Sequence, residues 1–134
     1  SFVKKPKFLT GGQAAVKSLK KEKVKHVFGL IGSATMEMFD ALYHEKKINF
    51  IGVRDERTGT HMADGYARAT GKAGVVMVTS GPGATNTITG IATAFTDSIP
   101  MVVISGQVMS HLVGDDAFQE DVMTWMDSSQ VVPH

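Results

Sequence analysis

Apolar residues along this chain follow two alternating patterns, and each pattern predicts a different secondary structure. Short continuous apolar runs, rich in β-branched side chains, predict strands that are buried in a sheet. These runs occupy residues 24–30, 49–53, 74–79 and 101–105. The segments before and between them carry apolar residues at helical spacing. Helix and strand therefore alternate four times, which predicts an α/β domain: a parallel sheet with helices on both faces and right-handed crossovers.

Polar residues that can cap a helix precede several of the helical segments. Thr10 and Gln13 have the spacing of a capping box, in which each side chain bonds to the other residue's backbone, and Ser33 can cap the second helix. The third and fourth helices are predicted over residues 55–70 and 83–95. The core-facing side of the second helix is predicted to consist of Met36, Phe39, Leu42 and Tyr43. That of the third helix is predicted to consist of Met62, Ala63, Tyr66 and Ala67.

The composition is that of an ordinary globular domain and argues against several function classes. Apolar residues make up 43% of the 134 residues and charged residues 20%, with a formal net charge of +1. This charge is too close to neutral for a nucleic-acid or membrane-surface binder. No apolar run approaches the roughly 20 residues that span a bilayer, and no signal peptide is recognisable. We therefore expect one cytoplasmic domain over residues 1–134, without nucleic-acid or membrane partners.

Two features that could bind a ligand or take part in catalysis follow predicted strands directly. Glu56 follows the second strand at the start of the third helix, and the turn Gly81-Pro82-Gly83 follows the third strand. In an open parallel sheet both features lie at the carboxyl ends of the strands, the edge where such sheets bind ligands. Each also has a plainer interpretation. Glu56 can be a solvated acid in the first turn of a helix, and the glycines can form a tight turn without a ligand.

Other site types fit the residues less well. A dinucleotide-binding fingerprint would need a third glycine where Asn86 stands, and no phosphate-binding Gly-Lys-Ser/Thr loop is present. A Rossmann-like nucleotide-binding module is therefore the weaker hypothesis. The chain has no cysteines, and His61 lies outside any His-Glu-x-x-His pattern, so a metal site is not predicted. Phe118 and Gln119 follow the fourth strand and either line a pocket or belong to an ordinary loop.

Taken together, the motifs resemble those of one enzyme family. The matching pieces cover nearly the whole chain in the family's order, and as a set they are highly specific. They include Val53-Arg54 with Glu56, residues 61–68, residues 79–86 (Thr-Ser-Gly-Pro-Gly-Ala-Thr-Asn), residues 99–103 and residues 116–120 (Asp-Ala-Phe-Gln-Glu). The chain resembles the pyrimidine-binding (PYR) domain of thiamine-diphosphate-dependent enzymes, and most closely the acetolactate synthase group.

The resemblance implies a role for each candidate residue. Glu56 matches the glutamate that contacts N1′ of the cofactor's aminopyrimidine ring and exchanges a proton with it, which activates C2 of the thiazolium. Cofactor contacts are implied for Gly32, Gly81, Pro82, Gly83 and Asn86. Phe118 and Gln119 match side chains that face the substrate cavity, and Gln119 would be a second catalytic residue that hydrogen-bonds the reacting oxygens. The implied substrates are small 2-oxo acids, which the enzyme decarboxylates and joins.

The same resemblance implies partners for the domain. Enzymes of this family hold Mg²⁺ and the diphosphate on a second, pyrophosphate-binding (PP) domain marked by Gly-Asp-Gly, and here only Gly114-Asp115-Asp116 comes close. We expect the chain to be a fragment of a longer polypeptide, truncated at its C-terminus, or else a small subunit, and to be inactive alone. It would meet the PP domain of the same or a partner chain in a homodimer or homotetramer. Some members of the family also bind FAD, and the residues of this chain do not indicate whether the parent enzyme does.

One departure from the family pattern leaves the substrate open. Acetolactate synthases usually carry Pro-Gly-Gly where this chain has Ile31-Gly32-Ser33. The run Gly32-Ser33-Ala34 is closer to that of sulfoacetaldehyde acetyltransferases, which are the alternative within the family. A homologue that uses the fold only for assembly, without catalysis, is a further alternative.

Overall fold

The structure is a computed structural model that describes residues 8–112 of the chain, and it contains one parallel sheet of four strands. The strands are β1 (His26–Gly29), β2 (Asn49–Gly52), β3 (Gly74–Val78) and β4 (Met101–Ser105). Each lies within one of the four apolar runs of the sequence. Their order in the sheet is β2-β1-β3-β4, and every neighbouring pair is parallel. The predicted α/β class with a parallel sheet is confirmed.

Residues 8–112 contain five helices. They are α1 (Gly11–Lys21), α2 (Met36–His44), α3 (Glu56–Thr70), α4 (Pro82–Thr85) and α5 (Ile88–Thr96). Short 3₁₀ turns occupy Ser33–Thr35 and Ser110–Leu112. Helices α1 and α2 pack together on one face, and α3 and α5 pack together on the other, which confirms the prediction of helices on both faces. None of the helices between residues 8 and 112 is both long and apolar enough to cross a membrane.

The central strands β1 and β3 contribute side chains to a core on each face. On the α1/α2 side, Val27 and Met77 pack with apolar residues of both helices. On the α3 side, Phe28 and Val76 pack against Ala63. All five residues of β3 are buried, as expected for a strand covered on both faces. Because successive side chains of a strand point to opposite faces, the continuous apolar runs supply both cores at once.

One of the two predicted helix caps forms, and the structure shows a further cap at Asp55 that was not predicted. Thr10 and Gln13 form the predicted capping box, with both backbone-to-side-chain hydrogen bonds at 3.2 Å. Asp55 caps α3 by accepting a hydrogen bond from the backbone N–H of Arg57 at 2.8 Å. The predicted cap at Ser33 is wrong. The chain enters α2 through a 3₁₀ turn that begins at Ser33, so this residue lies one turn too early to cap the helix.

Some residues that the sequence predicts to be buried are exposed in the structure. Met36, Tyr43 and Met62 are 62%, 79% and 39% exposed, because α2 and α3 bury narrower stripes than the full apolar face of each helix. The strand over 101–105 was predicted to be buried, yet Val102 is 46% exposed. This strand, β4, lies at the edge of the sheet, and within residues 8–112 no further strand pairs with its outer side.

The predicted fourth helix is divided into α4 and α5. At the junction the buried hydroxyl of Thr87 donates to the carbonyl of Ala84 at 2.5 Å, and the backbone N–H of Thr87 bonds to the same carbonyl. A hydroxyl that bonds the backbone three residues earlier competes with regular helical hydrogen bonding. The sequence also predicts a short helix over residues 121–126, which lies outside the described residues.

Candidate functional site

The strand order places a topological switch point between β1 and β3 at the carboxyl edge of the sheet. The crossover after β1 leads outward to β2, whereas the chain after β3 leads to β4 on the other side. The loops that follow β1 and β3 therefore diverge, and ligands of open α/β sheets bind at such a switch point. The loop with Gly32 follows β1, and the turn with Gly81 follows β3. Glu56 reaches the same edge from the end of β2.

Glu56 is a buried acid that contacts this turn. It is the first residue of α3 and is only 7% exposed. The side-chain amide Nδ2 of Asn86 donates a hydrogen bond to its Oε2 at 3.1 Å. Its other oxygen, Oε1, lies 3.4 Å from the position that a Cβ on Gly83 would occupy. Of the two interpretations of Glu56, the solvated first-turn acid does not fit this burial.

The local sequence explains why a carboxylate is tolerated in this position. Asp55 caps α3, so Glu56 falls in the first helical turn, where the helix dipole favours a negative charge. The guanidinium of Arg57 pairs with Asp55 at 3.2 Å and not with Glu56. The pKa of Asp55 lies below its usual value. The larger cause is the hydrogen bond from the backbone N–H of Arg57, and the second is the hydrogen bond from this guanidinium.

Asp55→Asn is expected to remove part of the pH dependence of stability while it keeps the cap. Because folding lowers the pKa of Asp55, its contribution is present above the unfolded pKa of about 3.9 and is lost as the pH falls through the folded value. Asparagine caps helices as well as aspartate does but carries no charge. The gap in melting temperature between wild type and variant should therefore shrink as the pH is lowered from 7 to 3.

The matched control for this experiment is Asp40→Asn. Asp40 is an exposed acid whose only ion pair among residues 8–112 is a long contact of 3.8 Å with His44. The control should show little change from wild type at any pH in the series. A gap between wild type and Asp55→Asn that stays constant from pH 7 to pH 3 would contradict the role of the Asp55 charge.

The turn after β3 needs glycine at two positions for two different reasons. Gly81 has φ +56° and ψ −122°, a backbone conformation that side chains disfavour. Pro82 follows as the first residue of α4, where its missing N–H costs nothing. A Cβ on Gly83 would lie 2.6 Å from Cγ2 of Thr79, so only glycine fits between Thr79 and Glu56. The predicted residues Gly81, Pro82 and Gly83 therefore form one compact turn beside the carboxylate.

Thr79 connects three parts of this edge and was not singled out from the sequence. Its hydroxyl accepts a hydrogen bond from the backbone N–H of Ala34 at 3.3 Å, and its carbonyl accepts one from the Ser105 hydroxyl at 3.3 Å. A Cβ on Gly32 would lie 2.3 Å from Cβ of Thr79. The predicted residue Gly32 is thus joined to the turn through Thr79. The available signal was a β-branched residue placed between a strand and a glycine turn.

The remaining predicted positions divide between this edge and the undescribed part of the chain. The carboxyl edge contains Gly32, Glu56, Gly81, Gly83 and Asn86, together with the exposed residue Pro82. Phe118 and Gln119 lie outside residues 8–112. Within that range no group of three or more metal-ligating side chains occurs.

A cavity of about 610 Å³ lies away from this edge. It is lined by α1 and by the amino-terminal ends of β1 and β3, with Leu19, His26 and Tyr66 among its lining residues. None of the predicted site residues between residues 8 and 112 lines this cavity. The carboxyl edge, with its buried acid, is therefore the stronger candidate site.

Comparisons with known proteins identify the family to which the chain belongs. The sequence model of a family described as thiamine pyrophosphate enzyme, N-terminal TPP binding domain, matches residues 9–130. The chain is 57% identical over 128 residues to the acetolactate synthase large subunit of Haemophilus influenzae, which covers 96% of this chain and 22% of that protein. It is 56% identical over 126 residues to the isozyme 3 large subunit of Escherichia coli, covering 94% and 22%.

A eukaryotic relative shows the same relationship at lower coverage. The mitochondrial acetolactate synthase catalytic subunit of Saccharomyces cerevisiae is 52% identical over 112 residues, covering 84% of this chain and 16% of that protein. The chain thus spans about a fifth of the length of the two bacterial relatives, 22% in each case.

Proposed function

Because this chain belongs to the family of thiamine pyrophosphate enzymes, as their N-terminal TPP-binding domain, we propose that Glu56 receives the aminopyrimidine end of thiamine diphosphate. The observation that carries the proposal is a buried carboxylate at the switch point of the sheet, next to the turn of Gly81 and Gly83. Thiamine diphosphate supplies the carbanion-stabilising chemistry, and the protein supplies position and an acid/base group.

The residues present fit such a ligand. Asn86 donates a hydrogen bond to Oε2 of Glu56, whereas no hydrogen bond from residues 8–112 reaches Oε1. A free carboxyl oxygen in a buried site is a suitable partner for a ring nitrogen that carries or accepts a proton. Glu56 would hold or pass the proton at Oε1. The turn of Gly81, Pro82 and Gly83 would let the backbone approach the ligand, and Gly32 would do the same from the loop after β1.

For the parent enzyme we propose acetolactate synthase activity. It would decarboxylate pyruvate and join the two-carbon unit to a second 2-oxo acid. Supporting observations are the names of the relatives, which are acetolactate synthase subunits, and the run of residues 116–120, in which Phe118 would wall the acceptor and Gln119 would bond the reacting oxygens. The enzyme would be cytoplasmic.

The proposal also includes a partner for the domain. A PP domain, in the same or a partner chain, would hold Mg²⁺ and the diphosphate, because a diphosphate needs a cation and residues 8–112 offer no cluster of metal ligands. A homodimer or homotetramer would bring that domain to Glu56. FAD is not part of the proposal.

The parent enzyme is expected to form acetolactate when it is incubated with pyruvate, thiamine diphosphate and Mg²⁺. In a parallel incubation with sulfoacetaldehyde and phosphate, we expect neither acetyl phosphate nor sulfite. The parallel arm is needed because Gly32-Ser33-Ala34 is closer to sulfoacetaldehyde acetyltransferases. Chromatography of both mixtures gives the answer. Acetyl phosphate and sulfite from the second mixture, without acetolactate from the first, would assign the parent to that alternative.

A further inference from the structure

Asn86 carries an inference that deepens the proposed function and rests on it. We propose that Asn86 is a positioning residue that determines which oxygen of Glu56 exchanges the proton. The family resemblance implied a contact between Asn86 and the cofactor, whereas the structure places its amide on the buried carboxylate, 3.1 Å from Oε2. The two oxygens of a free carboxylate are equivalent, so an asymmetric partner is what distinguishes them.

The chemistry of the two groups sets the direction of this hydrogen bond. An ionised carboxylate can only accept, so the side-chain amide must present its NH₂ group and not its carbonyl oxygen. Donation from Nδ2 satisfies Oε2, whereas Oε1 lies beside Gly83 and accepts no hydrogen bond from residues 8–112. Proton exchange with a ligand is thereby directed to Oε1.

The backbone around Asn86 is well suited to hold a donor in place. The N–H of Asn86 bonds to the carbonyl of Pro82 at 3.0 Å, and the residue has helical dihedral angles of −64° and −18°. The next residue, Thr87, is 2% exposed and bonds to Ala84 through both its N–H and its hydroxyl. The junction of α4 and α5 is therefore anchored on both sides of Asn86, while its side chain extends towards Glu56.

A neutral donor suits a carboxyl group that must both gain and lose a proton. A lysine or arginine at this distance would favour the ionised carboxylate through its charge, whereas an aspartate would repel it. The amide orients Glu56 through a hydrogen bond without adding a charge. This reasoning predicts that loss of the amide slows proton exchange more than it weakens cofactor binding.

The test uses the full-length parent enzyme and two readouts. In Asn86→Ala, exchange of the C2 proton of bound thiamine diphosphate for deuterium, followed by NMR, is expected to fall about tenfold, the loss typical of one hydrogen bond to a charged group. The dissociation constant of thiamine diphosphate with Mg²⁺, measured by calorimetry, should change by less than about threefold. Asn86→Asp should exchange more slowly still, because its carboxylate repels that of Glu56.

Thr85→Ala is the matched control for a general loosening of α4. The Thr85 hydroxyl bonds to Pro82 within the same helix at 3.2 Å, and it makes no hydrogen bond to Glu56. This variant should keep both the exchange rate and the dissociation constant, and the melting temperature of each apoenzyme should confirm that all variants fold.

Two results would overturn the inference while the proposed function stands. One is wild-type exchange in Asn86→Ala alongside lost exchange in Glu56→Gln. The other is a loss of cofactor affinity in Asn86→Ala that matches its loss of exchange, because Asn86 would then be a cofactor contact. Wild-type exchange in Glu56→Gln would instead overturn the proposed function, and the inference with it.

Discussion

Glu56→Gln is expected to lower the turnover of the full-length enzyme by about 10²–10⁴-fold, the range typical of a general acid/base group. Glutamine has nearly the shape of glutamate and can still accept the hydrogen bond from Asn86, so the fold and the position of the side chain should persist. It cannot hold or pass a proton at pH 7. Exchange of the C2 proton of bound thiamine diphosphate, followed by NMR, measures this loss directly.

Glu37→Gln provides the matched control for this variant. Glu37 also lies in the first turn of a helix, α2, but it is exposed and makes no hydrogen bond or ion pair among the described residues. Its replacement should leave exchange and turnover at the wild-type level. Near-normal exchange in Glu56→Gln would show that the carboxyl group is not the proton partner of the cofactor.

Gly29→Ala is expected to destabilise the domain by at least about 3 kcal/mol, at the upper end of the usual cost of overpacking. Gly29 ends β1, and a Cβ at this position would lie 1.8 Å from the backbone carbonyl oxygen of Met77 in β3. A clash with backbone cannot be relieved by a side-chain rotation, so the two central strands would have to separate. Since domains are stable by only about 5–15 kcal/mol, this loss is a large fraction of the total stability and should move the unfolding midpoint to a clearly lower urea concentration.

The measurement is urea unfolding of the chain, followed by circular dichroism. Gly65→Ala is the control, because it adds the same methyl group within α3, where nothing lies within 4 Å of the new atom. Alanine is favoured over glycine inside a helix by about 1 kcal/mol, so the control should be unchanged or slightly stabilised. A Gly29→Ala chain with the wild-type midpoint would mean that β1 and β3 do not approach as closely as described.

The sequence predicted the elements better than their arrangement. Continuous apolar runs identified all four strands because a strand buried on both faces needs apolar side chains at every position. The same run does not show how many neighbours a strand has, so β4 was predicted to be buried although Val102 is exposed. The break between α4 and α5 falls at Thr87, whose hydroxyl bonds to Ala84, and helical periodicity of the apolar residues does not detect it.

For the candidate site too, the positions of residues were predicted better than the contacts between them. The position of Glu56 followed from local signals, namely the end of an apolar run and the start of a helix. Its partner Asn86 lies 30 residues away, and no local pattern indicates that an amide reaches a particular carboxylate. Thr79 was missed for the same reason, because its contacts with Gly32 and Ala34 depend on the pairing of β1 with β3.

The order of the strands has a consequence for how the domain folds. Among the strands of residues 8–112, β1 is synthesised first, and it pairs with β2 on one side and with β3 on the other. The hydrogen bonds that join Thr79 to Ala34 and Asn86 to Glu56 close loops of 45 and 30 residues. Contacts across long loops are entropically costly and form slowly. The buried carboxylate should therefore acquire its partner late, when β3 has docked, so that nascent chains still lacking β3 hold Glu56 without a formed site.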